Sequence, residues 1–379
     1  MAVEGAVWVA RYARPMTAAS AAALLADLPV FDAHHDALQR ALDLGHDLGG
    51  PTRGQFDLPR ARAGGVGQSV FACWVDGTFG PGTAGPRAHA LMDALDRLLA
   101  RHPQQVRRIE TRADLAAVRR DRVHGVVCGI EGGHAIEHDL EQLERFAARG
   151  LRCMTLVWNN HLPWIRSCQA GGAGSPAGID DFGRAVVLRM EELGVMVDLS
   201  HAGERAVYDV LDVATKPVIA SHSGCKALRD HPRNLTDDQM RALARNGGVL
   251  GIVFLPAFLD ADAAAEDARV RASQAYTGLS APNEALLYLE QCDVLQRDAA
   301  PLAIERVVDH IAHAVEIMGP AHVGLGSDFD GIQRTPRGLE HAGCFAALVE
   351  RLLARGFGEP LVRAILGDNM RRVFERTLP

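Results

Sequence analysis

Acids and histidines in this chain recur at the ends of apolar, β-prone runs: FDAHHD (31–36), GIEGGH (129–134), VDLSH (197–201), ASHS (220–223) and GLGSDFDG (324–331), with HPRN (231–234) in the loop after the fourth. A chain that closes one buried strand after another with a titratable or metal-binding side chain is most simply a barrel whose polar groups meet at one mouth. The chemistry such a convergence supports is metal-assisted hydrolysis.

His34 and Asp36 stand at i and i+2 on the first run, so both point to one face and can share a cation, while His35 points the other way into packing. Glu131 follows VVCGI, where a buried carboxylate is costly unless a cation neutralises it; the bland alternative is a salt bridge to a barrel arginine. His201 and His222 end consecutive strands and offer two neutral imidazoles, which suits zinc. Five protein ligands are too many for one catalytic zinc with an open position. They match two ions sharing a bridging carboxylate and a bridging water, the latter acidified into a nucleophile while the metals polarise the scissile carbonyl. Asp328, on the last run, is then free to transfer protons or to anchor a substrate ammonium. Its i+2 neighbour Asp330 reads as an Asx turn before Gly331. Arg233 of HPRN has the guanidinium fork for a carboxylate, but spacing alone does not set it apart from a solvated loop arginine.

Positioning these groups requires about eight strands, and the runs at 30–36, 66–75, 123–131, 153–159, 195–201, 217–222, 248–254 and 322–328 supply them. Helical periodicity fills most gaps, at 88–102, 140–150, 180–194, 204–214, 236–248 and 303–319, and several of these helices end at a glycine (Gly150, Gly194, Gly247, Gly319) suited to a left-handed cap. The strand runs are continuously apolar, as in a parallel sheet covered by helices. The expectation is an α/β fold, a (β/α)8 TIM-type barrel with extra helices after strand 7 and at the C-terminus. A doubly wound sheet is the rival, yet no G-x-G-x-x-G follows the first strand, and GGAGSPAG (171–178) lacks the Lys-Ser/Thr of a phosphate loop; it reads as a flexible cover over the mouth. Residues 1–379 are expected to form one hydrolase domain, with 1–28 as an N-terminal extension and 255–301 as an inserted helical segment.

Composition narrows the partners. Lys+Arg number 40 against 47 Asp+Glu, a net charge of −7, and the basic residues are scattered, so neither nucleic acid nor an anionic membrane is favoured. Seven cysteines without a C-x-x-C pair argue against a disulfide framework and for a cytoplasmic protein with reduced thiols; Cys225, beside a site histidine, reads as a core residue. No apolar run nears the roughly 20 residues of a membrane span. The stretch 11–27 imitates a signal peptide faintly and reads as a surface helix. A small-molecule substrate is expected, and a homodimer is compatible with the sequence.

With these residues in place, the chain resembles the renal (membrane) dipeptidase family of the zinc amidohydrolase superfamily. The likeness runs from FDAHHD to VGLGSDFDG and takes in QFDLPRARAGGVGQSVF (55–71), GIEGGH, DDFGRAVV, GVMVDLSH, SHSGCKALRDHPRNLTDDQM and the closing ILGDNMRRVF. The resemblance implies a binuclear zinc barrel that hydrolyses dipeptides, often tolerating a D-residue at the C-terminal position. It places His34, Asp36 and Glu131 on one zinc and Glu131, His201 and His222 on the other. Asp328 would handle the proton and the free amine, and Arg233 the terminal carboxylate. One departure bears on substrate. Where the animal enzymes carry a histidine that touches the substrate carbonyl, this chain reads MTLVWNNHLPW, with Trp158 at that point. Either Asn159, Asn160 or His161 supplies the missing bond or the metals suffice, and loss of such a donor costs roughly 3 kcal/mol. Ala33 and His35 also replace frequent glycine and asparagine without touching a ligand. The alternative function is hydrolysis of another small amide or lactam, for example in secondary metabolism; a non-catalytic metal-binding scaffold is disfavoured by retention of all five ligands with Asp328. Zinc leads among metals, with iron, manganese and cobalt suited to similar chemistry.

Overall fold

Nine parallel strands carry the computed structural model of the chain, which describes residues 18–379. They are β1 (Val30–His35), β2 (Val66–Trp74), β3 (Val106–Arg108), β4 (His124–Glu131), β5 (Leu151–Thr155), β6 (Met196–Asp198), β7 (Ile219–Ser223), β8 (Val249–Ile252) and β9 (Val323–Leu325). The order β2-β1-β9-β8-β7-β6-β5-β4-β3, with an added β2–β4 pairing, closes eight of them into a barrel. The ninth, β3, was not expected from the sequence. It pairs with residues 124–126 of β4, below the point where β5 takes over from residue 128 onward, so β3 and β5 share one edge of that strand.

Every residue of β1, β4, β6, β7, β8 and β9 is buried, as continuous apolar runs under a helical layer should be. The covering helices begin on side-chain caps: Thr111 and Thr236 each form a capping box, and Asp57, Asp139 and Asp180 each accept a first-turn amide. The four expected glycine stops all lie at positive φ, from 69° at Gly194 to 98° at Gly150.

At the N-terminal end of the barrel a cluster of Phe31, Val70, Val127, Met196, Ile219 and Val249 packs on Met370, Val373 and Phe374 of the last helix, Asn369–Thr377. Phe31 and Phe374 stack with centroids 5.1 Å apart. The tail therefore plugs one end and leaves the other, where the strands terminate, for chemistry. After β8 come helices Pro256–Leu259, Ala261–Arg271, Gln274–Thr277 and Glu284–Asp298, the expected insertion. The helix Ala18–Asp27 covers the described part of the stretch read as a surface helix, and it buries Ala21, Leu24 and Leu25; residues 11–17 of that stretch lie outside the described residues. Among the described residues no helix is long and apolar enough to cross a membrane.

Several strands stop earlier than their apolar runs. β5 ends at Thr155 and β6 at Asp198, so residues 156–159 and 199–201 are loop. The Asp198 carboxylate explains the second break: its Oδ1 accepts from the amides of Ser200 (3.0 Å) and Ser221 (2.8 Å), drawing the chain out of the ladder. His201 then adopts φ +68°. Asp328 (φ +62°) and Asp330 (φ +67°) do the same after β9, a conformation that costs a residue with a side chain about 1 kcal/mol or more.

Candidate metal centre

His34 and Asp36 leave the end of β1 on the same side, as their spacing predicts, with His34 Nε2 3.3 Å from Asp36 Oδ2. Between them His35 turns outward, stacks on Phe56 and bonds Ser69 Oγ at 3.2 Å. The seam with β9 is sewn by side chains as much as by backbone. Ser327 donates its amide (2.8 Å) and its hydroxyl (2.5 Å) to the buried Asp32 carboxylate, and the amides of Asp36 and Asp328 donate to Phe329 and His34 carbonyls.

Glu131, the last residue of β4, points its two oxygens to different partners. Oε2 lies 3.5 Å from His34 Nε2; Oε1 lies 2.9 Å from His201 Nε2 and 3.4 Å from His222 Nε2. No arginine reaches it within ion-pair distance among the described residues. The ligating atoms of His34, Asp36 and Glu131 lie within 4.8 Å of one another, as do those of Glu131, His201 and His222.

Whether these residues fit a cation is decided by their protons. His201 Nδ1 meets Asn159 Oδ1 at 3.0 Å, and that oxygen also accepts from Gln169, so Nδ1 carries the hydrogen. His222 Nδ1 meets Ser221 Oγ at 2.8 Å, and that hydroxyl already donates to Asp198 Oδ2 at 2.6 Å, so again Nδ1 is the donor. Both Nε2 atoms are left as lone pairs, yet they face each other across 3.1 Å beside a carboxylate oxygen. Three acceptors aimed at one point repel unless a cation sits among them. On the β1 side, His34 Nε2 and Asp36 Oδ1 are buried without a hydrogen-bond partner.

Electrostatics agree. Burial, with help from Arg233, pushes His201 down to about 4, and burial with the nearby His34 holds His222 well below the imidazole range, so both rings are neutral, as a cation would require. Burial alone would lower His34 too, but Glu131 and Asp36 outweigh it and raise that imidazole well above its ordinary value. Burial lifts Asp36 to about 6, and burial plus the carboxylates of Asp36 and Glu131 lift Asp328 well above the carboxylate range. This is an acid-rich pocket that holds protons where it would hold cations.

Around this cluster, Asp328 reaches within 4.8 Å of the His34 and His222 ligating atoms. A Cβ at Gly331 would overlap its carboxylate and that of Asp36, so only glycine allows both acids to face inward. Asp330 is not the local turn former that its sequence position suggests. Its carboxylate takes Arg40 at 2.6 Å and the amides of Gln55 (2.7 Å) and Phe56 (3.1 Å), pinning the loop after β1 against the loop after β9. Arg233 is 4% exposed, and its guanidinium bonds only neutral oxygens, His222 O at 3.1 Å and Ser223 Oγ at 3.4 Å, above the Phe258 ring.

Comparison with known proteins agrees with this arrangement. The sequence model of the membrane dipeptidase family, peptidase family M19, matches residues 18–378. The chain belongs to that family. Dipeptidase 3 of Mus musculus is 29% identical over 371 residues, 96% of this chain and 67% of that protein. Among solved structures, the metallopeptidase of family M19 called dipeptidase AC superposes with a TM-score of 0.78 at 27% identity, covering 93% of this chain and 99% of its own. A metallopeptidase from Rhodobacter sphaeroides, solved with a phosphinate mimic of the dipeptide L-Ala-D-Ala, gives 0.76 at 27% identity, covering 92% and 99%.

In this membrane dipeptidase family member the segment after β5 carries the residues that the sequence left open as carbonyl donors. Trp158 is half-buried, with its ring 5.2 Å from that of Trp74 and 6.2 Å from that of His201. Asn159 spends its carboxamide oxygen on His201 and Gln169; Asn160 lies against Gly77. The His161 ring meets the Ala170 carbonyl and the Ser167 amide and hydroxyl, 3.2 to 3.3 Å away, and so braces the glycine-rich loop. Sequence reasoning passed over Asp198 and Ser221, which fix His222 and the bend before His201. Their signal was present in VDLSH and ASHS, where Asp198 stands three residues before one histidine and Ser221 directly before the other. Cys225 is the buried core residue expected, its thiol pushed up to about 12 by burial.

Proposed function

We propose that the protein is a metal-dependent dipeptidase whose two cations, zinc by the character of the ligands, share Glu131. His34 and Asp36 complete one site, His201 and His222 the other. The observation that carries this reading is the facing pair of imidazole lone pairs beside a carboxylate whose second oxygen serves His34. Bound there, the cations would supply an acidified water and polarise the carbonyl. Arg233, buried and without a carboxylate partner among the described residues, receives the substrate α-carboxylate. Asp328 takes and returns the proton and holds the free amine; its raised affinity for a proton suits a shuttle. The substrate class is supported by the Rhodobacter structure, which holds a mimic of L-Ala-D-Ala. The seven unpaired cysteines fit a reducing compartment, and we assign the cytoplasm.

Hydrolysis of a different small amide is the second reading. It is favoured by Trp158 and by His161, whose Nε2 is spent on Ala170 O, so that neither supplies an imidazole donor to the carbonyl oxygen. Metal-loaded protein, its stoichiometry measured by elemental analysis, is to be assayed on L-Xaa-L-Xaa and L-Xaa-D-Xaa dipeptides and on N-acyl amino acids. Turnover of free dipeptides at two equivalents of metal supports the first reading. Inactivity on every dipeptide at full loading rejects it.

A further inference from the structure

Beside the His201 edge of the centre lies a cavity of about 380 Å³, within the range of small-molecule sites. It runs from His201 past Arg233 and is bordered by Arg166, Lys226 and, at the rim, the exposed Glu204 and Arg205. In a protein of net charge −7 this wall is cationic. Its compensation is incomplete. Arg205 is paired with Asp209 at 2.7 Å. Arg166, however, donates only to the carbonyls of Gly172, Ser175 and Pro176, which keep it aimed while leaving its charge unneutralised. Arg233 likewise bonds only neutral oxygens. Lys226 meets Asp230 at 2.6 Å, but that carboxylate is 85% exposed, and an exposed pair four residues apart is worth at most about 1 kcal/mol, so a ligand carboxylate can replace it. Lys226 and Arg233 line this cavity together with Cys168, which places the two cations around one space.

A substrate with a single carboxylate satisfies Arg233 and leaves Arg166 unneutralised and Lys226 held only by the exposed Asp230. We infer that the substrate's C-terminal residue carries an acidic side chain, with Lys226, supported by Arg166, as the specificity-determining cation. This rests on the dipeptidase reading and narrows it to Xaa-Glu and Xaa-Asp substrates. A charge-assisted hydrogen bond in a partly enclosed site discriminates by about tenfold or more.

The test compares Ala-Glu with its neutral isostere Ala-Gln, each with an L- and a D-configured second residue, on the metal-loaded enzyme. The expected kcat/KM ratio favours Glu about tenfold or more, carried by KM, and shrinks as salt is raised. Lys226→Met should bring the ratio below about threefold, and Lys226→Arg should preserve it. Should Lys226→Met fail to fold or to hold metal, Lys226→Gln and the salt dependence of the wild type carry the decision. A wild-type ratio below about threefold, or a ratio that Lys226→Met does not move, overturns the inference. Cleavage of Ala-Gln as fast as Ala-Glu sinks this proposal alone, whereas failure to cleave either, or any other dipeptide, sinks the function on which it rests.

Discussion

Asn159 separates two accounts of the same loop. If it stands in for the carbonyl-binding histidine that Trp158 displaces, Asn159→Ala lowers kcat and leaves metal binding alone. The structure gives it a different role, because its Oδ1 holds the Nδ1–H of His201 at 3.0 Å, which fixes both the tautomer and the direction of the ligating nitrogen. His201 is 6% exposed, so water cannot readily replace the lost acceptor. Removing such a support costs 10- to 100-fold in metal affinity, or about 1.4 to 2.7 kcal/mol. Only the site of Glu131, His201 and His222 should weaken, so titration of metal-loaded Asn159→Ala with a competing chelator should release one equivalent early and the second at the wild-type concentration. Asn159→Asp places a full carboxylate behind the imidazole and should tighten the same equivalent. His161→Ala, whose ring only braces the loop, serves as the control. If Asn159→Ala binds both ions at wild-type affinity while kcat falls, the residue is a carbonyl donor and the positioning argument is wrong.

Other outcomes follow from the same geometry. Glu131→Gln should lose metal occupancy and turnover together, since one side chain serves both sites; full activity would remove the bridge. Gly331→Ala, whose methyl group would displace the Asp36 and Asp328 carboxylates, should bind one equivalent of metal tightly and lose most of its kcat without loss of fold by circular dichroism. Arg233→Met should raise KM for free dipeptides roughly 10- to 100-fold, the scale of one charge-assisted bond, and leave KM for dipeptide amides nearly unchanged. Burial, with Arg306 nearby, pushes His310 down to about 4 from an unfolded value near 6.5, against the opposing pull of the bond from its Nε2 to Leu259 O; its Nδ1 accepts from the Cys225 amide. The folded state thus disfavours the proton, so the stabilisation is complete above about pH 6.5 and fades as pH falls toward 4, by about 3 kcal/mol. Denaturant unfolding of wild type and His310→Gln at pH 7 and pH 4.5 measures it, and parallel losses in both would refute the assignment.

The ligands were legible because a parallel barrel converts a linear habit, polar residues directly after apolar runs, into a spatial one. That His34, Asp36, Glu131, His201 and His222, the candidate ligands, come together needed no more than that. What surrounds them did not show, because it depends on contacts between distant residues. Asp330 looked like a turn residue since its partner Arg40 lies 290 positions away. β3 is three residues long and two of them are arginines, too little pattern to read as a strand. Asn159, Asn160 and His161 could not be told apart in sequence, since their roles depend on how the loop from 156 to 180 folds back on itself through Ser167 and Gln169. The insertion was visible as a break in rhythm, but which of its residues approach the mouth was not.

The Asp32–Ser327 clasp sets a timetable for synthesis. Nearly three hundred residues separate its halves, and the loop that follows Ser327 supplies the backbone carbonyl that seats Asp36. While the ribosome is still translating the insertion, Glu131, His201 and His222 can already gather beside one another, whereas His34 and Asp36 wait on an unsealed edge. On the two-cation reading, loading of this chain should therefore be stepwise, with the His34 and Asp36 side completed only once Ser327 has emerged.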